Sequence, residues 1–166
     1  MTTITIASSR FNNETWTENA KYRKENNLNG GIYCAPLQMS AKIPLNSLVF
    51  IVEMNNAINK IEGVGLIRNY VQFDKNYRVY QIQNYHRYIY KGEYRIDRSV
   101  LERYNPHLVK VFDHILFKEK THMKRGSGLT TVPKKLLNHD ICQGIDLNAE
   151  LCKIFKQYFG NKNDKN

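Results

Sequence analysis

A short stretch of the sequence, residues 84–94, is rich in aromatic and basic side chains. It holds four tyrosines, one histidine and two cations in eleven positions. Rings beside cations suit single-stranded nucleic acid, because a ring stacks on a base while a neighbouring cation holds a phosphate. Most tyrosines on strands, taken singly, bury one ring face and leave the hydroxyl in water. The density of rings is therefore what indicates a binding site here.

A second stretch, residues 124–128, carries a lysine, an arginine and two glycines. It lacks the lysine context of a P-loop, so a nucleotide phosphate cradle is not predicted. Its cations and exposed backbone N–H groups can still hold a backbone phosphate. A solvated basic loop explains this feature equally well.

Candidate catalytic groups do not form a recognisable pattern. Four histidines lie on different predicted elements: His86, His107, His114 and His122. Neither an H-x-x-x-H spacing nor a G-x-S-x-G motif occurs, so we interpret these histidines as surface or hydrogen-bonded structural residues. Glu53 and Glu62 are interpreted as charges on the solvated face of a sheet. The sequence predicts no enzyme, no metal and no cofactor.

The composition favours an intracellular protein with a polyanionic partner. Twenty-five Lys and Arg against fifteen Asp and Glu give a net charge of +10, and clustered cations release counterions condensed on phosphate. Three cysteines without a C-x-x-C spacing indicate neither a disulfide framework nor a zinc knuckle. The first residues are too polar for a signal peptide, and no apolar run approaches the ~20 residues of a membrane span. We expect a location in the cytoplasm or nucleus, not secretion, and no membrane contact. The pattern indicates no oligomeric state.

The elements that must position these residues are predicted from periodicity. A chain of 166 residues that is 42% apolar predicts one domain over residues 1–160 and a polar tail over 161–166. Alternating or β-branched runs predict strands over residues 2–7, 32–34, 48–54, 61–67, 77–83 and 92–97. Helices are predicted over 14–26, from Pro133, and over 147–159, where Gly160 ends the last helix.

Three local features refine this prediction. Asn13 is the predicted cap of the first helix. Gly63 and Gly65, inside a strand, indicate a bulge or a close approach of another backbone. Residues 109–117 have apolar side chains at both odd and even positions, so the segment fits either a helix or a strand. Strands in the middle with helices at both ends predict an α+β fold, as a curved sheet or a small open β-barrel of about six strands.

The order of the pieces resembles that of the YTH domain, within the PUA-like group that also contains EVE and ASCH domains. The matching features are an opening strand and polar loop, a helix, the G-I-Y-C-A strand Gly31–Ala35, the hairpin of residues 49–67, and a basic loop followed by Val132 and Pro133. The resemblance spans most of the chain. It implies a PUA-like arrangement of strands and helices.

YTH domains bind RNA that contains N6-methyladenosine by holding the flipped base between aromatic walls. The resemblance implies that Tyr33, Tyr85 and Tyr90 are these walls. Tyr33 stands where the family has a tryptophan, and the run Y-K-G-E-Y that begins at Tyr90 is similar to the family's W-K-G-x-F. Tyr85 lies five residues before Tyr90, as the family spacing requires. The tyrosine-rich stretch is then interpreted as one side of an aromatic cage.

The same resemblance implies further contacts with the nucleotide. The implied base-contacting residues are Ser9, Asn13 and Cys34, the last through main-chain groups. The implied phosphate-binding residues are Lys91, Lys124 and Arg125.

We therefore expect a binding module that recognises single-stranded RNA, or DNA, and reads a modified base of the N6-methyladenosine type. Because tyrosine replaces tryptophan in the cage, the sequence is also consistent with a different modified base. The resemblance also fits an EVE-like reader of modified DNA or an ASCH-like hydrolase that acts on a modified nucleoside. The net charge by itself fits a basic structural protein that only neutralises nucleic-acid charge.

Overall fold

The computed structural model describes residues 3–120 and 122–163, without the side chains of residues 162 and 163. Seven strands occur in this part of the chain: β1 Thr5–Phe11, β2 Gly31–Ala35, β3 Leu48–Asn55, β4 Lys60–Arg68, β5 Tyr88–Gly92, β6 Tyr94–Asp97 and β7 Thr130–Thr131. The same part contains five α-helices: α1 Asn13–Glu25, α2 Arg98–Tyr104, α3 Pro106–Phe117, α4 Lys134–Leu137 and α5 Leu147–Asn163. Short 3₁₀ turns occupy Gln83–His86 and Asp140–Cys142.

Five strands form one sheet in the order β6-β4-β3-β1-β7, and β2 pairs with β5 in a separate two-stranded sheet. Strands β1 and β3 are parallel, whereas the other neighbours are antiparallel. The prediction of an α+β fold is confirmed. The described strands form open sheets and do not close into a barrel.

The five-stranded sheet is buried on both faces. Side chains alternate along a strand, so β3 directs Phe50 and Val52 to one face and Val49 and Ile51 to the other. The first face packs against helices α2, α3 and α5, and the second against β2, β5 and the aromatic side chains of α1. Burial on both faces explains why β3 is a nearly continuous apolar run.

The start of α1 differs from the prediction by one residue. Asn12, not Asn13, is the cap: its side-chain oxygen accepts a hydrogen bond from the Thr15 backbone N–H at 2.8 Å. The Thr15 hydroxyl accepts in turn from the Asn12 N–H at 3.0 Å, which completes a capping box. Asn13 is the first helical residue and is exposed.

The helices near the C-terminus resolve one open question and correct one boundary. Residues 109–117 belong to helix α3, which Asn105 caps by accepting from the Leu108 N–H at 3.1 Å. Helix α5 passes through Gly160, the predicted end, and continues to Asn163. Residues 164–166 of the predicted tail lie outside the described part. Neither α5 nor any other helix within the described ranges is long and apolar enough to cross a bilayer.

Three of the predicted strands are wrong in extent or type. The predicted strand 92–97 combines the last residue of β5 with the whole of β6, and residues 88–91 of β5 were not predicted as a strand. Strand β1 begins at Thr5 and runs through Phe11, so it includes most of the predicted polar loop. Residues 77–83 form no strand, because the N–H groups of Val79 and Tyr80 donate to His86 Nε2 at 3.0 and 2.9 Å and not to a neighbouring strand. This contact confirms His86 as a hydrogen-bonded structural residue.

A buried ion pair lies between β3 and β6. Arg95 donates two hydrogen bonds to the Glu53 carboxylate, from Nε at 2.8 Å and from Nη2 at 2.7 Å. Tyr33 donates its hydroxyl to the same carboxylate at 2.7 Å. The Glu53 side chain is only 1% exposed, so its predicted place on a solvated sheet face is wrong. Partners on two other strands, not water, satisfy its charge.

The two glycines of β4 are required by this buried pair. A methyl group at Gly65 would overlap the Tyr33 hydroxyl. One at Gly63 would lie 2.9 Å from both Arg95 Nη2 and Glu53 Oε1, and 2.6 Å from the Ile96 carbonyl oxygen. The pairing of β3 with β4 also shifts between Glu53 and Met54, which leaves a bulge opposite them. Both alternatives of the prediction occur at Gly63, which lies next to the bulge and close to the Ile96 backbone. At Gly65 the close neighbour is the Tyr33 side chain and not a backbone.

Gly65→Ala is therefore expected to lower the free energy of unfolding by about 1–3 kcal/mol, the usual cost of overpacking a well-packed interior. Urea denaturation followed by circular dichroism measures this change. Gly160→Ala is the matched control, because a methyl group there meets open space within helix α5. The control is expected to be neutral or to stabilise by up to ~1 kcal/mol. Equal effects of the two substitutions would contradict the steric argument.

Candidate ligand-binding cleft

A cleft of about 230 Å³ opens where strands β1, β2 and β3 end. Strands β1 and β3 are parallel, with Phe11 opposite Asn55, so their carboxyl ends reach the same edge of the sheet. Ligands bind preferentially outside such carboxyl ends in α/β sheets. Asn12 and Thr15, at the start of α1, complete this side of the cleft.

A second wall of the cleft is the basic loop between α3 and β7. Lys124, Gly126, Ser127 and Gly128 line it. The backbone of Gly126 has φ +90° and that of Gly128 has φ +82°, values that side-chain-bearing residues rarely adopt. The glycines therefore set the path of the loop around the cleft, and Lys124 adds an exposed positive charge to it.

Arg10 holds this loop against the end of β1. Its guanidinium donates to the carbonyl oxygens of Gly126, Met123 and Gly128, each at 3.2 Å, and to the Thr130 hydroxyl at 2.8 Å. A planar guanidinium can serve several acceptors at once, whereas an ammonium cannot match this geometry. Arg10 thus fixes the basic wall of the cleft.

Two tyrosine rings meet at right angles in the cleft, and we call Tyr80 and Tyr85 the aromatic corner. Their centroids are 5.9 Å apart and their planes cross at 90°. Tyr80 is buried, its ring stacks on His86, and its hydroxyl accepts from Asn19 Nδ2 at 2.9 Å. Tyr85 is half-buried. The corner therefore has one fixed ring and one ring with a partly open face.

Asn56 contributes an unsatisfied acceptor to the cleft wall. Its Nδ2 donates to the Lys124 carbonyl oxygen at 3.0 Å, and this contact sets the orientation of the amide because a carbonyl can only accept. Its Oδ1 is buried and has no hydrogen-bond partner among the residues that the structure describes. Such an atom costs about 1–3 kcal/mol when it stays unpaired. An N–H or O–H donor from a water or from a ligand would satisfy this atom, and because the atom is buried the cleft wall must move slightly to admit that donor.

The cleft also contains two groups that burial keeps protonated. Burial raises the pKa of the Cys34 thiol and that of the Tyr80 hydroxyl well above their ordinary values. A thiol with a raised pKa is a poor nucleophile, because the thiolate is the reactive form. Cys34 therefore contributes to the shape of the cleft and supplies main-chain polar groups, but it does not act as a nucleophile.

The structure brings four of the nine predicted site residues together in this cleft: Ser9, Cys34, Tyr85 and Lys124. Asn13 and Arg125 lie next in sequence to lining residues but do not line the cleft themselves. Lys91 lies elsewhere, with its ammonium 3.3 Å from the Tyr77 hydroxyl and above the Tyr77 ring.

The predicted cage of three tyrosines is not formed, because Tyr33 and Tyr90 are fully buried. They are paired across β2 and β5 and lie in the core on the second sheet face. The Tyr33 hydroxyl is bonded to Glu53, and the Tyr90 hydroxyl accepts from the Met39 N–H at 2.9 Å. Their hydroxyls are satisfied within the protein, so neither ring offers a face to a ligand.

Arg10, Asn56 and Tyr80 are among the cleft residues that the sequence did not predict. Arg10 and Asn56 stand at the ends of β1 and β3, so the parallel pairing of these strands is the signal that would have located both. Tyr80 has no comparable signal, because it lies in an irregular segment whose sequence pattern resembles that of a strand.

Comparisons with models of protein families, with curated proteins and with solved structures find no match to this chain. The resemblance to YTH domains therefore stays a prediction. The function proposed below is therefore argued from the residues of the cleft alone.

Proposed function

We propose that the cleft binds single-stranded nucleic acid, with one base at the aromatic corner and a backbone phosphate at the loop of residues 124–128. The unpartnered Asn56 Oδ1 carries this proposal, because Asn56 lines the same cleft as the half-buried ring of Tyr85 and the charge of Lys124. A nucleotide offers a complementary group to each: an N–H donor, a flat ring and a phosphate.

The size of the cleft supports one base as the occupant. Drug-sized ligands occupy clefts of roughly 300–1,000 Å³, and the present cleft is smaller, at about 230 Å³. Every base has an N–H donor on its Watson–Crick edge, which is free for Asn56 Oδ1 only when the base is unpaired. This requirement favours single strands, in which bases can be splayed out and stacked on aromatic side chains.

A modified base of the N6-methyladenosine type is the specific ligand within this proposal. The aromatic corner replaces the three-tyrosine cage as the candidate contact. The half-buried Tyr85 ring is the one that can stack on the base, and an N-methyl group would meet the part of Tyr80 that lines the cleft. Cys34 and Tyr80 do not supply a thiolate or a phenolate for nucleophilic attack on a modified nucleoside, because burial raises the pKa of both groups.

Fluorescence anisotropy with short labelled RNA and DNA strands tests the proposal. Tyr85→Ala is expected to weaken binding about 5- to 150-fold, which corresponds to the ~1–3 kcal/mol of one stacked base. Lys124→Ala is expected to weaken binding of all sequences alike. It should also reduce the slope of the logarithm of affinity against the logarithm of salt concentration by about 1. Tyr104→Ala and Lys153→Ala, exposed residues outside the cleft, are matched controls that should leave affinity unchanged.

Two outcomes would contradict the proposal: no saturable binding of either strand, or equal losses for cleft and control variants. A further arm compares strands that differ by one N6-methyl group. Tighter binding of the methylated strand is expected. Equal affinities would remove the selectivity for a methylated base while leaving single-strand binding intact.

A further inference from the structure

Three potential metal ligands meet where helix α3 ends beside the 3₁₀ turn Asp140–Cys142. They are His114 in the last turn of α3, Glu119 just after the helix, and His139, which caps the 3₁₀ turn. The Nε2 atoms of His114 and His139 lie 2.9 and 3.0 Å from the same atom, Glu119 Oε1. The three candidate ligand atoms all lie within 4.8 Å of one another.

The surroundings of this cluster allow an ion to enter. The side chains of His114, Glu119 and His139 are 32%, 27% and 31% exposed, so the rings are partly held by the protein and still reachable. His139 also lines a cleft of about 670 Å³, separate from the candidate nucleic-acid cleft. None of the three side chains lines the latter.

The identity of the ligands selects a class of metal. Two imidazoles and one carboxylate form the ligand set of open zinc sites, which keep a further position for water. Imidazole nitrogen favours zinc, copper and nickel, whereas magnesium and calcium prefer oxygen ligands throughout. Zn²⁺ binds nitrogen and oxygen ligands at roughly 2.0–2.2 Å, so small movements of the three side chains suffice to surround an ion.

One hydrogen bond competes with metal binding at His139. The Ile141 N–H donates to His139 Nδ1 at 3.1 Å, so a neutral His139 ring carries its proton on Nε2 and donates it to Glu119. Coordination through Nε2 moves that proton to Nδ1 and gives up the bond from Ile141. A metal must therefore replace two contacts of His139. Without a metal, the three side chains act as a hydrogen-bonded clamp between α3 and the 3₁₀ turn.

We propose that His114, Glu119 and His139 form a binding site for one divalent transition metal ion of the zinc class. Coordination would join the end of α3 to the segment that contains the 3₁₀ turn. This site is independent of nucleic-acid binding, because it uses different residues.

Titration of chelator-treated protein with Co²⁺ and then Zn²⁺ tests the site. We expect one equivalent of Co²⁺ to bind with the d–d absorption of a low-coordinate site, and Zn²⁺ to displace it. Because the metal binds the folded protein, the midpoint of thermal unfolding should rise with metal concentration. Absence of the Co²⁺ spectrum, with no rise in the midpoint, would overturn the proposal.

Two conservative variants locate the ion. His139→Asn removes the Nε2 ligand but keeps a good capping side chain for the Ile141 N–H, and Glu119→Gln keeps a hydrogen-bond acceptor without the charge. Each variant is expected to bind zinc at least roughly 10- to 100-fold more weakly than the unchanged protein. Substitution of residues that only orient the metal ligands already causes a loss of this size. His107→Ala, an exposed histidine of the same helix, is the control and should bind as the unchanged protein does. Undiminished binding by His139→Asn and Glu119→Gln would show adventitious metal binding only and would overturn the proposal.

Discussion

Arg95→Leu is expected to lower the free energy of unfolding by about 3–5 kcal/mol, the usual cost of leaving one member of a buried ion pair alone. The Arg95 side chain is 6% exposed and forms both of its short bonds to Glu53 away from water. Without Arg95, the Glu53 carboxylate keeps only the hydroxyl of Tyr33. The guanidinium also lies over the Trp16 ring at 5.5 Å, so helix α1 loses a contact as well.

Urea denaturation measures the effect of Arg95→Leu, and two further variants isolate its cause. Arg103→Leu, which removes an exposed arginine of α2, is expected to change stability by no more than about 0.5 kcal/mol. The double variant Arg95→Leu with Glu53→Met removes both charges and should recover much of the loss, because no unpaired charge stays buried. A loss no larger than that of Arg103→Leu would contradict this account of the pair.

Arg10→Ala is expected to free the basic loop and to weaken single-strand binding on the order of 100-fold, or about 2.7 kcal/mol. Arg10 makes four hydrogen bonds to the segment 123–130, and bonds that involve a charged group contribute about 1.5–3 kcal/mol each. Its loss leaves the wall that carries Lys124 without its anchor on β1.

Hydrogen exchange distinguishes the loop effect from the binding effect. The amides of residues 124–129 should exchange faster in Arg10→Ala, while the central strand β3 stays protected. Arg10→Lys keeps the positive charge but lacks the planar set of donors of a guanidinium. It should show nearly the same faster exchange as Arg10→Ala. Unchanged exchange in the loop would contradict the anchoring role of Arg10. Faster exchange without any nucleic-acid binding in the unchanged protein would contradict only the proposed function.

The elements that local pattern controls were predictable from the sequence. The hairpin of β3 and β4 follows from two apolar runs joined by a polar turn. Helix α1 follows from acidic residues early and basic residues late, although its cap is Asn12 and not the predicted Asn13. Gly63 and Gly65 were informative because glycine inside a strand has few other reasons to occur. These features need only neighbours along the chain.

The predictions that failed concern residues whose positions depend on contacts between distant segments of the chain. Tyr33 and Tyr90 occur in a tyrosine-rich pattern, but the sequence does not show that β2 pairs with β5 and directs both rings into a core. In the sequence Glu53 resembles a surface charge, because its partners Arg95 and Tyr33 lie on the distant strands β6 and β2. The parallel pairing of β1 with β3 brings Arg10 and Asn56 to one edge, and neither strand carries a local sign of its partner.

The edge strand β7 has a consequence for solubility. It consists of Thr130 and Thr131 alone, both exposed, and pairs with β1 only at Ser8 and Ala7. Long, flat, apolar sheet edges recruit strands from other molecules and promote aggregation, whereas very short polar edges offer too few backbone groups for such pairing. Strand β7 itself thus offers few backbone groups for intermolecular β-addition, although it covers only two of the seven residues of β1.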